Sequence, residues 1–296
     1  MTTVSSDIVT GAINRSLPAR ITARFGGGVL RIALIVVALV WLLPTFGLLI
    51  ESLRDPGKYT SGGWWQALVH PAQLTVSNYT ALLQNGSFTG SLLNTVYITI
   101  PATFFVVLFG AAAGYAFAWM EFPGRDWLFL IVVGLLVIPI QIALVPVVKL
   151  DGAIGIAGTI TAVVLFHVAF GLPFAIFLLR NYFAGIPRDL MEAARIDGAS
   201  EGRIFFRIIL PLGLPAIASL GIFQFLWVWN DLLVALVFSD ASSAPVTVAL
   251  ASQTRQFGSS IDVLAPGAFL SLIIPLAVFL GFQRFFVQGV MAGSVK

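Results

Sequence analysis

The stretch Ile32–Ile50, "IALIVVALVWLLPTFGLLI", contains nineteen residues and no charged side chain. A helix of that length, at about 1.5 Å per residue, reaches about 28 Å, close to the hydrocarbon thickness of a bilayer. A long polar tail precedes the run, and no small-residue cleavage site follows it. We therefore interpret it as a retained membrane helix, not a cleaved signal peptide.

The composition of the whole chain agrees with a lipid environment. Of its 296 residues 58% are hydrophobic and only 10% are charged, with a mean hydropathy of +0.98, whereas soluble domains carry about 25% charged residues. The net charge of +3 is small and scattered, so nucleic acid is not an expected partner. The absence of cysteine excludes disulfides, zinc thiolates and thiol catalysis, and we expect no metal site and no catalytic site.

Six continuous apolar runs are long enough to cross the membrane as helices. A β-barrel would instead show short segments of alternating hydrophobicity. The sequence predicts an all-α protein with tails over residues 1–31 and 287–296 around a permease domain over 32–286. The predicted spans are residues 32–50, 92–119, 127–148, 156–179, 213–238 and 265–285.

Lysine and arginine near the span ends predict the orientation, because cytoplasmic loops carry the excess of basic residues. Four basic residues fall on one side: Arg54, Lys58, Lys149 and Arg255. The other twelve fall on the opposite side: Arg15, Arg20, Arg24, Arg31, Arg125, Arg180, Arg188, Arg195, Arg203, Arg207, Arg284 and Lys296. Both termini are therefore expected in the cytoplasm of a multi-pass cell-membrane protein.

A charged segment, Leu190–Pro211, "LMEAARIDGASEGRIFFRIILP", separates the fourth and fifth apolar runs. Pro187 suits a first helical turn, Gly198 suits a helix end, and Ser200 suits the cap of a second helix. The pattern predicts a cytoplasmic elbow of two short helices. Spacing alone leaves open whether this elbow lies on lipid headgroups or docks a soluble partner.

The same segment resembles the EAA loop of permease subunits in binding-protein-dependent ABC importers. The match runs without a gap through Glu192, Ala193 and Ala194, then Gly198, then Ile208, Leu210 and Pro211. Further segments are similar to the shorter six-span subunit of the maltose-permease-like branch: "GYAFAWMEFPGR" (Gly114–Arg125), "LRNYFAGIP" (Leu179–Pro187), "WND" (Trp229–Asp231) and "QRFFVQGVMAGSVK" (Gln283–Lys296).

The resemblance implies a carbohydrate importer whose elbow seats in a cleft of a cytoplasmic ATPase. The implied partners are a second permease subunit, two ATPase subunits, an extracytoplasmic binding protein and membrane lipid. Leu190, Met191 and Ala194 are expected to face the ATPase groove. The residues expected to couple to the ATPase are Glu192, Ala193, Ala194, Asp197, Gly198, Ile208, Leu210 and Pro211, with tail contacts from Ser294, Val295 and Lys296.

ATP and Mg²⁺ are expected on the partner ATPase, with no cofactor on this chain. A P-loop requires G-x-x-x-x-G-K-[ST], and here the only Gly-Lys pair, Gly57–Lys58, is followed by Tyr59. The long loop before the second span carries "GGWW" (Gly62–Trp65) and is a candidate dock for the binding protein. "GAAAG" (Gly110–Gly114) is expected to serve ordinary helix packing.

Polar and aromatic residues inside the predicted spans form a candidate substrate path. They are Gln141, His167, Gln224, Trp227, Asn230 and Asp231. Buried polar groups in lipid are costly and often functional, and tryptophan offers a flat face to a sugar ring. Interhelical hydrogen bonding or packing would explain the same residues. The resemblance places the sugar mainly on the other permease subunit, so contact from this chain stays open.

Two other functions compete with the importer. An ion-coupled secondary transporter would need intramembrane ionisable relays and inverted repeats, but only His167 and Asp231 offer ionisable groups and no repeat is evident. An intramembrane enzyme would need a nucleophile and a base, for which Ser219 with His167 is the one conceivable couple. Neither alternative explains the charged elbow.

Overall fold

The computed structural model describes residues 17–256 and 261–292, with side-chain surroundings for 28–59, 62–253 and 261–283. Within these residues the regular structure is helical, without a named strand. The α-helices are α1 Leu17–Ser52, α2 Gln66–Val69, α3 Ser77–Gln84, α4 Gly86–Trp119, α5 Arg125–Leu135, α6 Ile140–Ile154, α7 Ile160–Ala184, α8 Arg188–Ile196, α9 Glu201–Ile204, α10 Leu210–Trp229, α11 Leu233–Phe238, α12 Val246–Gln256 and α13 Ile261–Ala292. A π-helical turn, Phe205–Ile209, joins α9 to α10, and 3-10 turns lie at Pro56–Ser61 and Pro71–Gln73.

Among the residues that the structure describes, five helical stretches are long and apolar enough to cross a membrane. They are Gly28–Ser52 of α1, α4, α7, Glu201–Trp229 and Ile261–Gln283 of α13. The predicted all-α membrane class is confirmed. In the described part of the chain, α5 and α6 supply a sixth span if together they cross the membrane as one broken segment.

The third predicted span is not a straight helix. α5 and α6 meet at 101°, with a break between Leu135 and Ile140. Pro139 explains the break, because a proline pushes the preceding residue away from the α-helical region. Pro139 itself is extended, with φ −63° and ψ 132°, and the helix restarts at the next residue. The sequence-based expectation of one continuous run over 127–148 is therefore wrong.

The fifth predicted span also ends early. α10 stops at Trp229, nine residues before the predicted boundary, and the short helix α11 follows. Asn230 turns its side-chain amide back onto the Leu226 carbonyl at 2.8 Å. The Asp231 carboxylate accepts the backbone N–H groups of Val234 and Ala235, at 3.3 and 2.9 Å. The two bonds to Asp231 satisfy backbone N–H groups in the first turn of α11 that have no helical partner, which stabilises a new helix start here.

The core of the bundle is the packing of α4 on α7. A Cβ at Gly110 would stand 2.6 Å from the Ala175 Cβ, and one at Gly114 would stand 3.0 Å from the Leu179 Cβ. Contacts this short show that both glycines are needed for the helices to approach. The "GAAAG" segment therefore packs against another helix of the same chain, as expected. α10 joins this core and is tied to α13 by the Trp229 indole, which donates to the Ser271 carbonyl at 3.0 Å.

The loop between α1 and α4 is organised by a fully buried arginine. Arg54 donates to the Gln73 side chain at 2.9 Å and to the carbonyls of Lys58 and Gly62, both at 2.7 Å. Asn78 is also buried, and its amide donates to the Arg54 carbonyl at 2.8 Å. Two buried polar side chains thus hold together, by hydrogen bonds, residues that lie far apart along this loop.

Candidate coupling elbow and membrane pocket

The predicted elbow forms over α8, Gly198 and α9. α8 ends at Ile196, and Gly198 has a φ of +73°, the left-handed conformation that ends many helices. Ser200 caps α9, accepting the Arg203 backbone N–H at 3.4 Å. The expected turn glycine and the expected cap are confirmed. Pro187 lies one position outside the first turn, because α8 begins at Arg188.

The elbow has one buried side and one open side. Met191, Ile204 and Ile209 are fully buried in the cluster that packs α4 against α7. Met191 therefore does not face outward, and the expectation that it meets the ATPase groove is wrong, since its side chain fills the protein's own core. Leu190 and Ile196 are open, with 45% and 86% of their surfaces exposed.

A chain of polar bonds attaches the elbow to the end of α4. Arg195 donates to Glu201 across the turn at 3.0 Å and to the Trp119 carbonyl at 3.1 Å. The Tyr115 hydroxyl donates to the second oxygen of Glu201. The Trp119 indole in turn donates to the Phe183 carbonyl of α7, at 2.9 Å. We call these five residues the elbow clamp.

The elbow clamp was not predicted from the sequence. The hydrogen bond with Glu201 raises the pKa of Arg195 above its ordinary value, which is the direction expected when the charged guanidinium pairs with a carboxylate. The available signal was the spacing of Tyr115 and Trp119, four residues apart on one helix face. Their partners lie far along the chain and only the fold brings them together.

The eight predicted coupling residues divide by exposure. Three are half-buried against the core: Ala194, Ile208 and Leu210. Five are exposed: Glu192, Ala193, Asp197, Gly198 and Pro211. Within the chain, Glu192 pairs with Arg188, one turn earlier on α8, at 2.8 Å. The predicted tail contacts, Ser294, Val295 and Lys296, lie outside the described residues.

The structure brings four of the six predicted path residues together. His167 of α7 lies edge-on to the Trp227 ring, with centroids 5.2 Å apart, and its Nε2 is 3.6 Å from the Asp231 carboxylate. Gln224 lies one turn before Trp227 on α10. The other two are placed elsewhere. Gln141 is exposed on α6, and Asn230 is exposed at the end of α10.

Next to His167, a cavity of about 290 Å³ lies between α7 and α10, and we call it the membrane pocket. Its lining consists of Phe170, Gly171, Phe174, Phe223, Gln224 and Trp227. The Gln224 amide nitrogen and both ring nitrogens of His167 are buried without a hydrogen-bond partner in the described part of the chain. Ser219 donates its hydroxyl to the Pro215 carbonyl at 2.8 Å, so it does not form the conceivable couple with His167.

Comparison with known proteins places this architecture in one family. Residues 79–291 match the family described as binding-protein-dependent transport system inner membrane component. The osmoprotective compounds uptake permease protein GgtD of Synechocystis is 48% identical over 272 residues, covering 90% of this chain and 91% of that one. The alpha-glucoside transport system permease protein AglG of Rhizobium meliloti is 46% identical, covering 76% of this chain and 61% of that one.

A solved structure shares the fold. It is a bacterial ABC transporter involved in the import of the acidic polysaccharide alginate, matched with a TM-score of 0.72 at 21% identity over 89% of this chain and 96% of that one. The fold, the family match and the apolar helices agree on a protein of the cell membrane that carries out transport. The chain belongs to the inner membrane component family of binding-protein-dependent transport systems, as a permease subunit of an ABC importer.

Proposed function

We propose that this permease forms half of the translocation path of an ATP-driven importer for a carbohydrate, and that the elbow is where movement of the ATPase reaches the membrane helices. The cargo class is an oligosaccharide, a disaccharide or a related polyol. The names of the relatives support this class, since AglG belongs to an alpha-glucoside system and SugB of Mycobacterium tuberculosis, 34% identical, to a trehalose system.

The elbow clamp carries the coupling proposal. Leu190 and Ile196 present exposed apolar surface on α8, and exposed apolar patches mark sites where proteins meet. On the other side of α8, Arg195 is bonded to the end of α4 and Met191 is buried in the core. A partner that moves α8 therefore pulls on the end of a membrane span.

The proposed assembly contains a second permease subunit, two ATPase subunits and an extracytoplasmic binding protein. ATP and Mg²⁺ belong to the ATPase subunits, because the sequence has no P-loop. The excess of basic residues supports a proposed orientation with both termini and the elbow in the cytoplasm, and with tails over residues 1–31 and 287–296. We propose that Ser294, Val295 and Lys296 contact the ATPase as well.

An ion-coupled secondary transporter is not favoured. The family description names binding-protein-dependent transport, and an ion-coupled carrier gives the elbow no role. The ionisable residue Asp231, which lies near His167, has a structural role that requires no ion transport, since its carboxylate accepts backbone N–H groups at the start of α11.

Site-specific crosslinking tests both the partner and the orientation. The native chain has no cysteine, so Ala193→Cys creates a single reactive position on the exposed side of α8. A thiol-linked benzophenone there should capture the ATPase subunit in membranes. Lys58→Cys, in the loop between α1 and α4, is the matched control and should capture none. Labelling of Ala193→Cys from outside intact cells would overturn the orientation, and capture of no ATPase would overturn the coupling role.

A further inference from the structure

We propose that the membrane pocket is a sugar-binding subsite in the translocation path, which holds one sugar ring against Trp227 and Phe223 with the Gln224 amide as its polar contact. The inference rests on the proposed carbohydrate function. It adds that this subunit touches the cargo directly and discriminates between cargoes.

An unpaired buried donor is the first observation. Gln224 is 4% exposed and lines the membrane pocket, yet its amide nitrogen lacks a hydrogen-bond partner among the described residues. Leaving a buried polar group unpaired costs about 1–3 kcal/mol. A ligand hydroxyl group would satisfy this nitrogen, whereas a lipid chain in the same cavity would leave it unpaired.

The aromatic lining is the second observation. Phe170 and Phe174 come from α7, and Phe223 and Trp227 come from α10. Three of these rings are partly open, with Phe174, Phe223 and Trp227 at 42%, 43% and 40% exposure. A sugar ring has apolar C–H faces and a polar rim of hydroxyls, so aromatic walls with one buried amide match it. In the proposed importer, the second permease subunit covers their open side.

A glycine sets the position of the amide. A Cβ at Gly171 would lie 2.8 Å from Gln224 Nε2 and 2.9 Å from its Oε1. It would also lie 2.9 Å from the Val106 side chain, so the absence of a side chain at this position lets Gln224 pack against α7 as it does. The volume of about 290 Å³ is at the lower end for small-molecule sites. It therefore suits one ring of the cargo at a time.

The experiment uses the complete importer in proteoliposomes with loaded binding protein. The probe is whichever of [¹⁴C]sucrose, [¹⁴C]maltose and [¹⁴C]trehalose the wild type takes up fastest, with the second fastest as competitor. The test variants are Gln224→Ala and Trp227→Leu. The matched controls are Leu214→Ala, elsewhere on α10, and Trp127→Leu, at the start of α5. Uptake, ATPase stimulation and the amount of assembled complex are measured for each.

We expect both test variants to lower uptake at least about tenfold, the effect of losing about 1.4 kcal/mol, and to change the ratio between the two sugars. ATPase stimulation and assembly should stay at the level of the controls, because the elbow is untouched. Unchanged uptake, an unchanged sugar ratio, or loss of uptake only in proportion to lost assembly would each overturn the subsite. If the wild type takes up none of the three sugars, the same assay is run with a labelled oligosaccharide and a labelled polyol, and uptake of neither would overturn the carbohydrate function and the subsite with it.

Discussion

Two glycines, one in the elbow and one in the membrane pocket, are needed for opposite reasons. Gly198 has a φ of +73° and nothing within 4 Å of where a Cβ would stand. Gly171 lies within the regular helix α7, but a Cβ there would collide with Gln224. The elbow therefore depends on a backbone conformation, and the pocket depends on space.

This difference predicts how each region fails. Strain at Gly198 would change the turn between α8 and α9, outside the membrane pocket, so the importer would lose communication with its ATPase. Crowding at Gly171 would displace the Gln224 amide and the Val106 side chain, so the importer would keep that communication and bind its cargo less well. Substitutions in the two regions should thus separate coupling from transport selectivity.

The largest effect is expected for Gly198→Val. A side chain in the left-handed region costs about 1–2 kcal/mol, and the β-branch makes this conformation still less favourable. We expect stimulation of the ATPase by loaded binding protein to fall at least about tenfold, while membrane insertion is retained. Stimulation in reconstituted vesicles, with quantified ATPase assembly, is the measurement.

Gly202→Val is the control for that experiment. Gly202 also has open space around it, but it lies in α9 with an ordinary helical conformation. Its substitution should leave stimulation close to wild type. Wild-type stimulation by Gly198→Val would show that the elbow does not couple to an ATPase.

The next effect in size is expected for Gly171→Ala. The new methyl group forces Gln224 to move, and overpacking costs about 1–3 kcal/mol. Sugar uptake should fall about fivefold, with ATPase stimulation unchanged. Gly134→Ala, which meets nothing within 4 Å, is the control in the same assay. If Gly171→Ala lost stimulation as well, the two regions would not be separable in the way that their geometry indicates.

A smaller effect is expected for Arg195→Ala, which removes the link from the elbow to Glu201 and to the Trp119 carbonyl. Both charged side chains are about two-fifths exposed, so solvent screening limits the loss. We expect stimulation to fall about threefold. Arg195→Lys keeps the charge but not the fork of donors, and it should recover part of the loss. An equal loss of ATPase stimulation in the two variants would show that the positive charge of Arg195 does not contribute to coupling.

The smallest effect is expected for Glu192→Ala. The Arg188–Glu192 pair is exposed at both ends, and such pairs contribute about 0–1 kcal/mol. Stimulation should change less than about twofold. A larger drop, at normal assembly, would show that Glu192 makes a contact with the ATPase that outweighs its contact with Arg188.

The sequence correctly predicted the features that depend on neighbouring residues along the chain. Apolar runs identified the membrane helices, and Gly198 and Ser200 identified the turn of the elbow and its cap. Proline was the ambiguous signal. Pro101 lies inside the continuous helix α4, whereas Pro139 marks a 101° break. Neighbouring helices decide which proline is tolerated inside a span, and a single sequence does not contain that information.

Side-chain direction was the harder prediction. Met191 and Leu190 are adjacent on α8, yet one is fully buried and the other is 45% exposed. The sequence of α8 predicted an amphipathic helix, but it did not predict which face of the helix would pack against the core. The pairing of His167 with Asp231 likewise joins residues 64 positions apart, and it required the fold of α7 against the end of α10.

The hydrogen bonds of Arg54 and Asn78 in the loop between α1 and α4 have a consequence for how a partner would bind this loop. A partner that binds a flexible loop must order it on binding, and ordering each side chain costs about 0.5–1.5 kcal/mol of binding free energy. Here the buried hydrogen bonds hold the backbone in place beforehand. If a binding protein docks on this loop, as the sequence led us to expect, it meets a preformed surface and association does not include the cost of ordering the loop.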